Sequence, residues 1–84
     1  MSARLVTWPA VGVELHWKQC PESEREQQFV VCAMSHPGCW YAQRGARTLQ
    51  GAGAILGALR RGYGYTRPRE MFRIWDTTGP WPDA

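Results

Sequence analysis

Residues 37 to 59 read PGCWYAQRGARTLQGAGAILGAL, and this stretch decides the fold. It opens on a Pro-Gly pair, which ends a strand because proline cannot donate to a β-ladder and glycine accepts turn dihedrals. Thr48 then offers a helix N-cap, and small or aliphatic residues follow it at spacings of three and four. The stretch therefore predicts a strand exit, a cap and a helix over residues 49 to 61.

Strand patterns lie on both sides of this unit. Residues 11 to 18 alternate apolar and polar side chains, and residues 27 to 34 are apolar on both faces, as in a central strand. We expect the polar residues 20 to 26 to join these two strands as a hairpin loop. Residues 40 to 43 predict a short third strand before a turn at Gly45, and residues 71 to 75 predict a last strand.

Together these elements predict an α+β fold, with a small three- or four-stranded antiparallel or mixed sheet and one main helix packed on one face. The order is ββ(β)αβ, and all 84 residues belong to a single domain. We expect residues 1–9 and 77–84 to be loose termini, unless Trp81 anchors the second one.

The predicted helix is rich in glycine, and each interior glycine costs a helix about 1 kcal/mol relative to alanine. Close approach to the sheet would compensate, so we expect Gly53 and Gly57 to lie against it. Gly62 is expected to end the helix in a left-handed conformation.

Apolar residues on both faces of the sheet predict self-association, because one helix covers only one face. A patch left open on so small a chain marks an interface, and a two-fold homodimer is the usual remedy. The alternatives are that the Trp81 tail folds over this face or that the face binds the partner. The expected dimer face consists of Val30, Met34, Met71 and Trp75.

The composition predicts a cytoplasmic, non-enzymatic protein without a cofactor. No apolar run is long enough to span a bilayer or to form a signal-peptide core, and three cysteines do not make a secreted disulfide framework. Residues 51 to 57 mimic a dinucleotide fingerprint but lack the strand directly before it. A Cys39 nucleophile assisted by His36 would lack an orienting third group.

Histidine and cysteine are too sparsely arranged to predict a metal site. His16, Cys20, Cys32, His36 and Cys39 are possible zinc ligands, but no Cys-x-x-Cys pair is present and the spacing matches no common zinc motif. The sequence therefore predicts no metal, and it leaves open whether Cys20, Cys32, Cys39 and His36 ever bind zinc.

The sharpest functional feature is the basic segment RRGYGYTRPR, residues 60 to 69. Guanidinium groups fork onto carboxylates or phosphates, and tyrosines stack on bases or fill protein pockets. Seven arginines against three acidic residues give residues 43 to 84 a net charge of +4. An ordinary solvated loop is the competing interpretation. The expected partner-binding residues are Arg60, Arg61, Tyr63, Tyr65, Arg67 and Arg69, with Trp40 and Tyr41 as a second location.

Several of these residues resemble the N-terminal domain of HicB-type antitoxins. The matching positions are Phe29 to Val31, Pro37 to Cys39, Gly45, Thr48 to Leu49, Ala52 and Ala58 to Leu59. Gly45-Ala46-Arg47-Thr48 stands where the family has Gly-Asp-Thr. The resemblance implies a degenerate ribonuclease-H-like fold that binds and inhibits another macromolecule. In size and plan the chain is also similar to small phage anti-defence proteins, the anti-CRISPR proteins among them.

We therefore expect a bacterial or phage inhibitor or adaptor that blocks a larger macromolecule, with a toxin or a defence complex as its protein partner. The alternative is a small nucleic-acid-binding module that uses residues 60 to 69. No membrane partner is expected.

Overall fold

The structure is a computed structural model that describes residues 12–82. Its elements are β1 (Glu14–His16), β2 (Phe29–His36), β3 (Cys39–Ala46), α1 (Leu49–Gly62) and β4 (Phe72–Asp76), with 3₁₀ turns at Glu22–Glu24 and Arg69–Met71. The four strands form one mixed sheet and α1 packs on it, which confirms the predicted α+β fold class. No helix within the described range is both long and apolar enough to cross a membrane.

The strand order across the sheet is β1-β3-β2-β4. β2 is a central strand, as predicted, because it pairs antiparallel with both β3 and β4. β1 is shorter than the expected residues 11 to 18, of which Val11 lies outside the described residues. β1 pairs with β3 and runs parallel to it, so the hairpin expected at residues 20 to 26 is wrong. The segment instead joins β1 to β2 across the intervening β3, and it is called the crossover below.

A close contact between the crossover and β3 fixes this arrangement. The Glu24 carboxylate accepts hydrogen bonds from Arg44 Nε at 2.7 Å, from Arg44 Nη2 at 2.9 Å and from the Gly45 amide at 3.1 Å. A Cβ at position 45 would collide with the carbonyl oxygen of Glu24. Gly45 therefore lies inside a strand that runs to Ala46, and the turn expected there is wrong.

The turn before β3 and the N-cap of α1 are both as predicted. Pro37 and Gly38 form the turn between β2 and β3, and Gly38 has a left-handed φ of 83°. Thr48 caps the helix, since its Oγ1 accepts a hydrogen bond from the Gly51 amide at 3.0 Å. One side of α1 then packs on the sheet. The residues in contact are Ala52, Ile55, Leu56 and Leu59 from the helix, and Phe29, Val31, Ala46 and Ile74 from the strands.

The end of the helix differs from the prediction. Gly62 is the last helical residue, and Tyr63 caps the helix with a φ of −89°. The left-handed residues are Gly64, with φ 64°, and Tyr65, with φ 57°. The Tyr65 amide donates to the carbonyl of Arg60 at 3.0 Å, so the chain completes another turn before it leaves the helix.

The prediction that glycines bring α1 onto the sheet is also wrong. Nothing lies within 4 Å of a Cβ built at Gly53, and the nearest group at Gly57 is the guanidinium of Arg61 at 3.7 Å. The close contact with the sheet is made by Ala52, which is fully buried. Gly53 and Gly57 leave part of the helix surface bare instead.

The second face of the sheet is covered by the chain itself. Its buried residues are Leu15, Cys20, Val30, Cys32, Trp40, Ala42 and Trp75, with Val13, Trp17, Met34 and Trp81 packed against them. The Trp81 ring lies 5.2 Å from that of Trp40 and 5.9 Å from that of Trp75. Trp75 Nε1 also donates to the Gly79 carbonyl at 3.1 Å. These contacts anchor residues 77 to 82, in agreement with the alternative that Trp81 folds over this face, whereas residues 1 to 9 and 83 to 84 lie outside the described residues.

Because the chain itself covers the second face of the sheet, that face does not need a second copy to bury it. Val30 is 0% exposed and Trp75 is 5% exposed within one chain, so neither is available to a second copy. Met34 and Met71 are half-buried. Trp40, expected as a partner-binding residue, is 4% exposed in the same core and cannot form a binding surface. The homodimer itself stays a prediction.

Two glycine substitutions are expected to act in opposite directions. Gly45→Ala should lower the free energy of unfolding by about 1 to 3 kcal/mol, because the added methyl group meets the Glu24 backbone. Gly53→Ala should raise it by about 0.4 to 1 kcal/mol, because the position is helical and open. Chemical denaturation of both variants tests this, and an equal shift in both would contradict it.

The ion pair at Glu24 predicts a pH dependence. The hydrogen bonds from Arg44 lower the pKa of this carboxyl below its ordinary value of 4.5. Its stabilisation is therefore complete above the ordinary value and is lost as the pH falls through the lowered one. Glu24→Gln should cost about 1 kcal/mol at neutral pH, and the difference from the wild type should shrink in acid. Denaturation between neutral and acidic pH measures it, with exposed Glu22→Gln as a control that should change little.

Removal of the tail's anchor should open the second face. Trp81→Ala is expected to lower the free energy of unfolding by about 1 to 2 kcal/mol, since the ring is half-buried over Trp40 and Trp75. The uncovered surface should then make the variant self-associate in sedimentation more strongly than the wild type. Equal association of the two proteins would count against the proposed cover.

Candidate functional site

A groove of ≈ 590 Å³ lies between α1 and β4. Its lining includes apolar side chains from both elements, namely Leu56, Phe72 and Ile74. On the helix side the lining also includes Gly53 and Gly57, where the absence of side chains leaves room. The glycines thus create an opening beside the sheet rather than a close contact with it.

One border of this groove is an edge strand. β4 pairs with β2 on one side only, and no strand in the described part of the chain pairs with its outer side. An edge strand presents unpaired backbone N–H and C=O groups that another extended chain can use. The groove therefore combines an apolar lining with backbone hydrogen-bonding groups.

Charged groups line the same groove, and three of the four are cationic: Arg60, Arg69, Arg73 and Glu70. Arg73 is held by the protein, because its Nη1 donates to the carbonyls of Glu70 and Phe72, both at 2.8 Å. The Arg60 guanidinium lies 5.5 Å from the centre of the Tyr65 ring. Its Nε is buried and has no hydrogen-bond partner in the described residues.

The cations of the groove are not neutralised within the described chain. Over residues 12–82, no carboxylate forms an ion pair with Arg60, Arg69 or Arg73. Arginine pairs strongly with carboxylates because its planar fork offers several parallel donors. Arg60 and Arg69 are therefore available to a ligand that carries negative charge.

The structure divides the arginine and tyrosine segment between two places. Arg60 and Arg69 line the groove, and Tyr65 supports Arg60 while 60% exposed. Tyr63 and Arg67 instead line a separate polar cavity of ≈ 270 Å³ together with Tyr41.

Arg67 in that second cavity is largely occupied by the protein. Its guanidinium lies 4.5 Å from the centre of the Tyr63 ring, and its Nη1 donates to the Met34 carbonyl at 3.5 Å. Arg61 is exposed and lines neither cavity. The eight expected partner-binding residues thus do not form one continuous surface.

Sequence reasoning missed the apolar part of the groove. The sequence predicted the helix and the last strand that border the groove, but not the opening between them. The bare positions Gly53 and Gly57 were a usable signal, because glycines four residues apart on a helix leave an open stripe. The sequence alone does not show whether the sheet or solvent lies opposite these glycines, so it could not distinguish a close contact from an opening.

Two of the three buried cysteines, Cys20 and Cys32, are structural. Cys20 and Cys32 lie in the core of the second face, and burial raises the pKa of both thiols. A thiol must lose its proton to bind zinc, so neither is suited to be a ligand. His36 is exposed at the β2–β3 turn, where its Nδ1 lies 3.1 Å from Ser35 Oγ. Of the five zinc candidates, only His16 and Cys39 lie together in a cluster of metal-ligating side chains among the described residues.

Comparison of the chain with protein-family models, curated proteins and solved structures gave no match. The resemblances to HicB-type antitoxins and to anti-CRISPR proteins are therefore predictions from the sequence alone.

Proposed function

We propose that this protein is a non-catalytic inhibitor or adaptor that binds an extended, acidic segment of a partner protein in the groove between α1 and β4. The observation that carries the proposal is the combination of an apolar lining, an edge strand and two available arginines in one groove.

The edge strand favours an extended partner segment. A peptide that pairs with the outer side of β4 gains main-chain hydrogen bonds, and every second side chain turns the same way. The side chains that turn inward would meet Leu56, Phe72 and Ile74. A segment with apolar residues at alternate positions fits this arrangement.

The charges favour acidic residues in the same segment. Arg60 and Arg69 line the groove without ion-pair partners among residues 12–82, and the buried Arg60 Nε lacks an acceptor. A carboxylate would satisfy that donor and pair with both cations. The same cations disfavour basic segments, which gives the groove a means of selection.

In this proposal the partner is a toxin or a defence complex, and occupation of one of its exposed segments blocks it. The three cysteines carry free thiols, which suits the reducing cytoplasm where we place the protein. We favour a protein partner over nucleic acid because the arginines lie on separate surfaces and the net charge is only +3. Phosphate-backbone binding usually needs a longer basic surface.

Charge reversal in the groove should abolish binding of an acidic peptide. The probe is a fluorescein-labelled peptide Asp-Leu-Asp-Val-Asp-Leu, measured by anisotropy against Lys-Leu-Lys-Val-Lys-Leu. The wild type should prefer the acidic peptide, and Arg60→Glu with Arg69→Glu should weaken its binding at least about tenfold, the equivalent of about 1.4 kcal/mol. Exposed Arg47→Glu, outside the groove, is the matched control and should bind normally.

A second pair of variants tests the shape of the groove independently of its charge. Gly53→Leu should fill the opening and block peptide binding without loss of stability. Ala54→Leu, on the exposed side of α1, should leave both the opening and peptide binding unchanged. Equal binding of both peptides, or normal binding by the filled variant, would overturn the proposal. Salt-sensitive binding of single-stranded oligothymidine in place of the peptide would replace it with the nucleic-acid alternative.

A further inference from the structure

The parallel pairing of β1 with β3 brings two side chains of β1 beside a cysteine that is distant in sequence. Glu14 lies opposite Cys39 in the ladder, and His16 lies opposite Tyr41. Glu14 and His16 are alternate residues of one strand and point to the same face. Their ligand atoms and the Cys39 Sγ all lie within 4.8 Å of one another.

We infer that Glu14, His16 and Cys39 form a zinc site with a fourth position open to water. The sequence had singled out His16 and Cys39 among possible zinc ligands, but not Glu14. The third ligand follows from the parallel register, which places β1 beside β3 instead of β2.

The distances suit a tetrahedral metal. Zinc bonds of about 2.0 to 2.3 Å place two ligand atoms of one site about 3.3 to 3.8 Å apart. His16 Nε2 and Glu14 Oε2 are already 3.7 Å apart. Since all three atoms lie within 4.8 Å, small side-chain rotations suffice to close the site on an ion.

Neighbouring groups hold the ligands in place. The His16 ring stacks on Tyr41, with centroids 4.7 Å apart and planes at 25°, which fixes the plane of the imidazole. The Glu14 amide donates to the Gly38 carbonyl at 2.7 Å, so β1 starts directly beside the turn that leads to Cys39. Such support around the ligands is typical of metal sites and strengthens binding.

The chemistry of the donors favours zinc over magnesium or calcium. A thiolate, an imidazole and a carboxylate are the ligand types that zinc accepts, whereas magnesium and calcium prefer oxygen. One thiolate and one carboxylate also balance the 2+ charge of the ion. Cys39 is only 8% exposed, while His16 and Glu14 are partly open to solvent, so the fourth position faces water.

Cobalt substitution tests the site directly. The full chain, reduced and free of metal, is titrated with Co²⁺, which should give a thiolate-to-cobalt charge-transfer band and the intense visible bands of a tetrahedral site. Cys39→Ser should remove the charge-transfer band. His16→Gln and Glu14→Gln should each weaken cobalt binding at least about tenfold, the lower end of effects seen even for groups around the ligands. Zinc should displace the cobalt and raise the unfolding temperature of the wild type.

Matched controls distinguish this site from the other histidine, carboxylates and thiols. His36→Gln and Glu22→Gln replace exposed residues outside the cluster and should leave the titration unchanged. A wild type without a charge-transfer band, or a band that survives Cys39→Ser, would overturn the inference. So would an equal loss of affinity in His36→Gln and His16→Gln. Circular dichroism of each variant checks that it is folded, so that loss of the charge-transfer band reports on the metal site.

Discussion

The contact between Glu24 and Gly45 is the constraint on which the rest of the structure depends. Because position 45 has no side chain, the crossover can rest on β3, where the Glu24 carboxylate binds Arg44 and the Gly45 amide. The crossover lets β1 run parallel to β3 at one edge of the sheet and leaves β4 at the other. The proposed metal site lies at the first of these edges and the proposed groove at the second.

The two faces of the sheet solve the problem of a small core in different ways. On one face a helix with small residues packs over Val31, and its glycines leave a groove beside β4. On the other face the chain uses large aromatic rings, with Trp81 folded over Trp40 and Trp75. Residues 12–82 therefore cover both faces of the sheet with a single α-helix among them.

The sequence predicted the elements that depend on neighbouring residues and missed those that depend on distant ones. The Pro37-Gly38 exit and the Thr48 cap are local, and both were correct. Gly45 was interpreted as a turn because a glycine that permits close packing looks the same as one that permits a turn, and its partner Glu24 is 21 residues away. The alternation in β1 identified a strand but could not identify its neighbour. The arginines were found, but their division between two cavities depends on how the chain leaves α1.

Tyr65 shows what that exit from the helix requires. Its φ of 57° is left-handed, a conformation that costs a residue with a side chain about 1 kcal/mol, and glycine would adopt it freely. Gly64 directly before it shows that the chain does use glycine in this conformation, and asparagine, the other common choice, is absent from the sequence. A tyrosine at this position therefore stores conformational strain beneath Arg60 and gives up part of the stability of the domain to keep an aromatic ring exposed. The contact that this strain holds in place is the one between the Tyr65 ring and the Arg60 guanidinium, 5.5 Å from the ring centre.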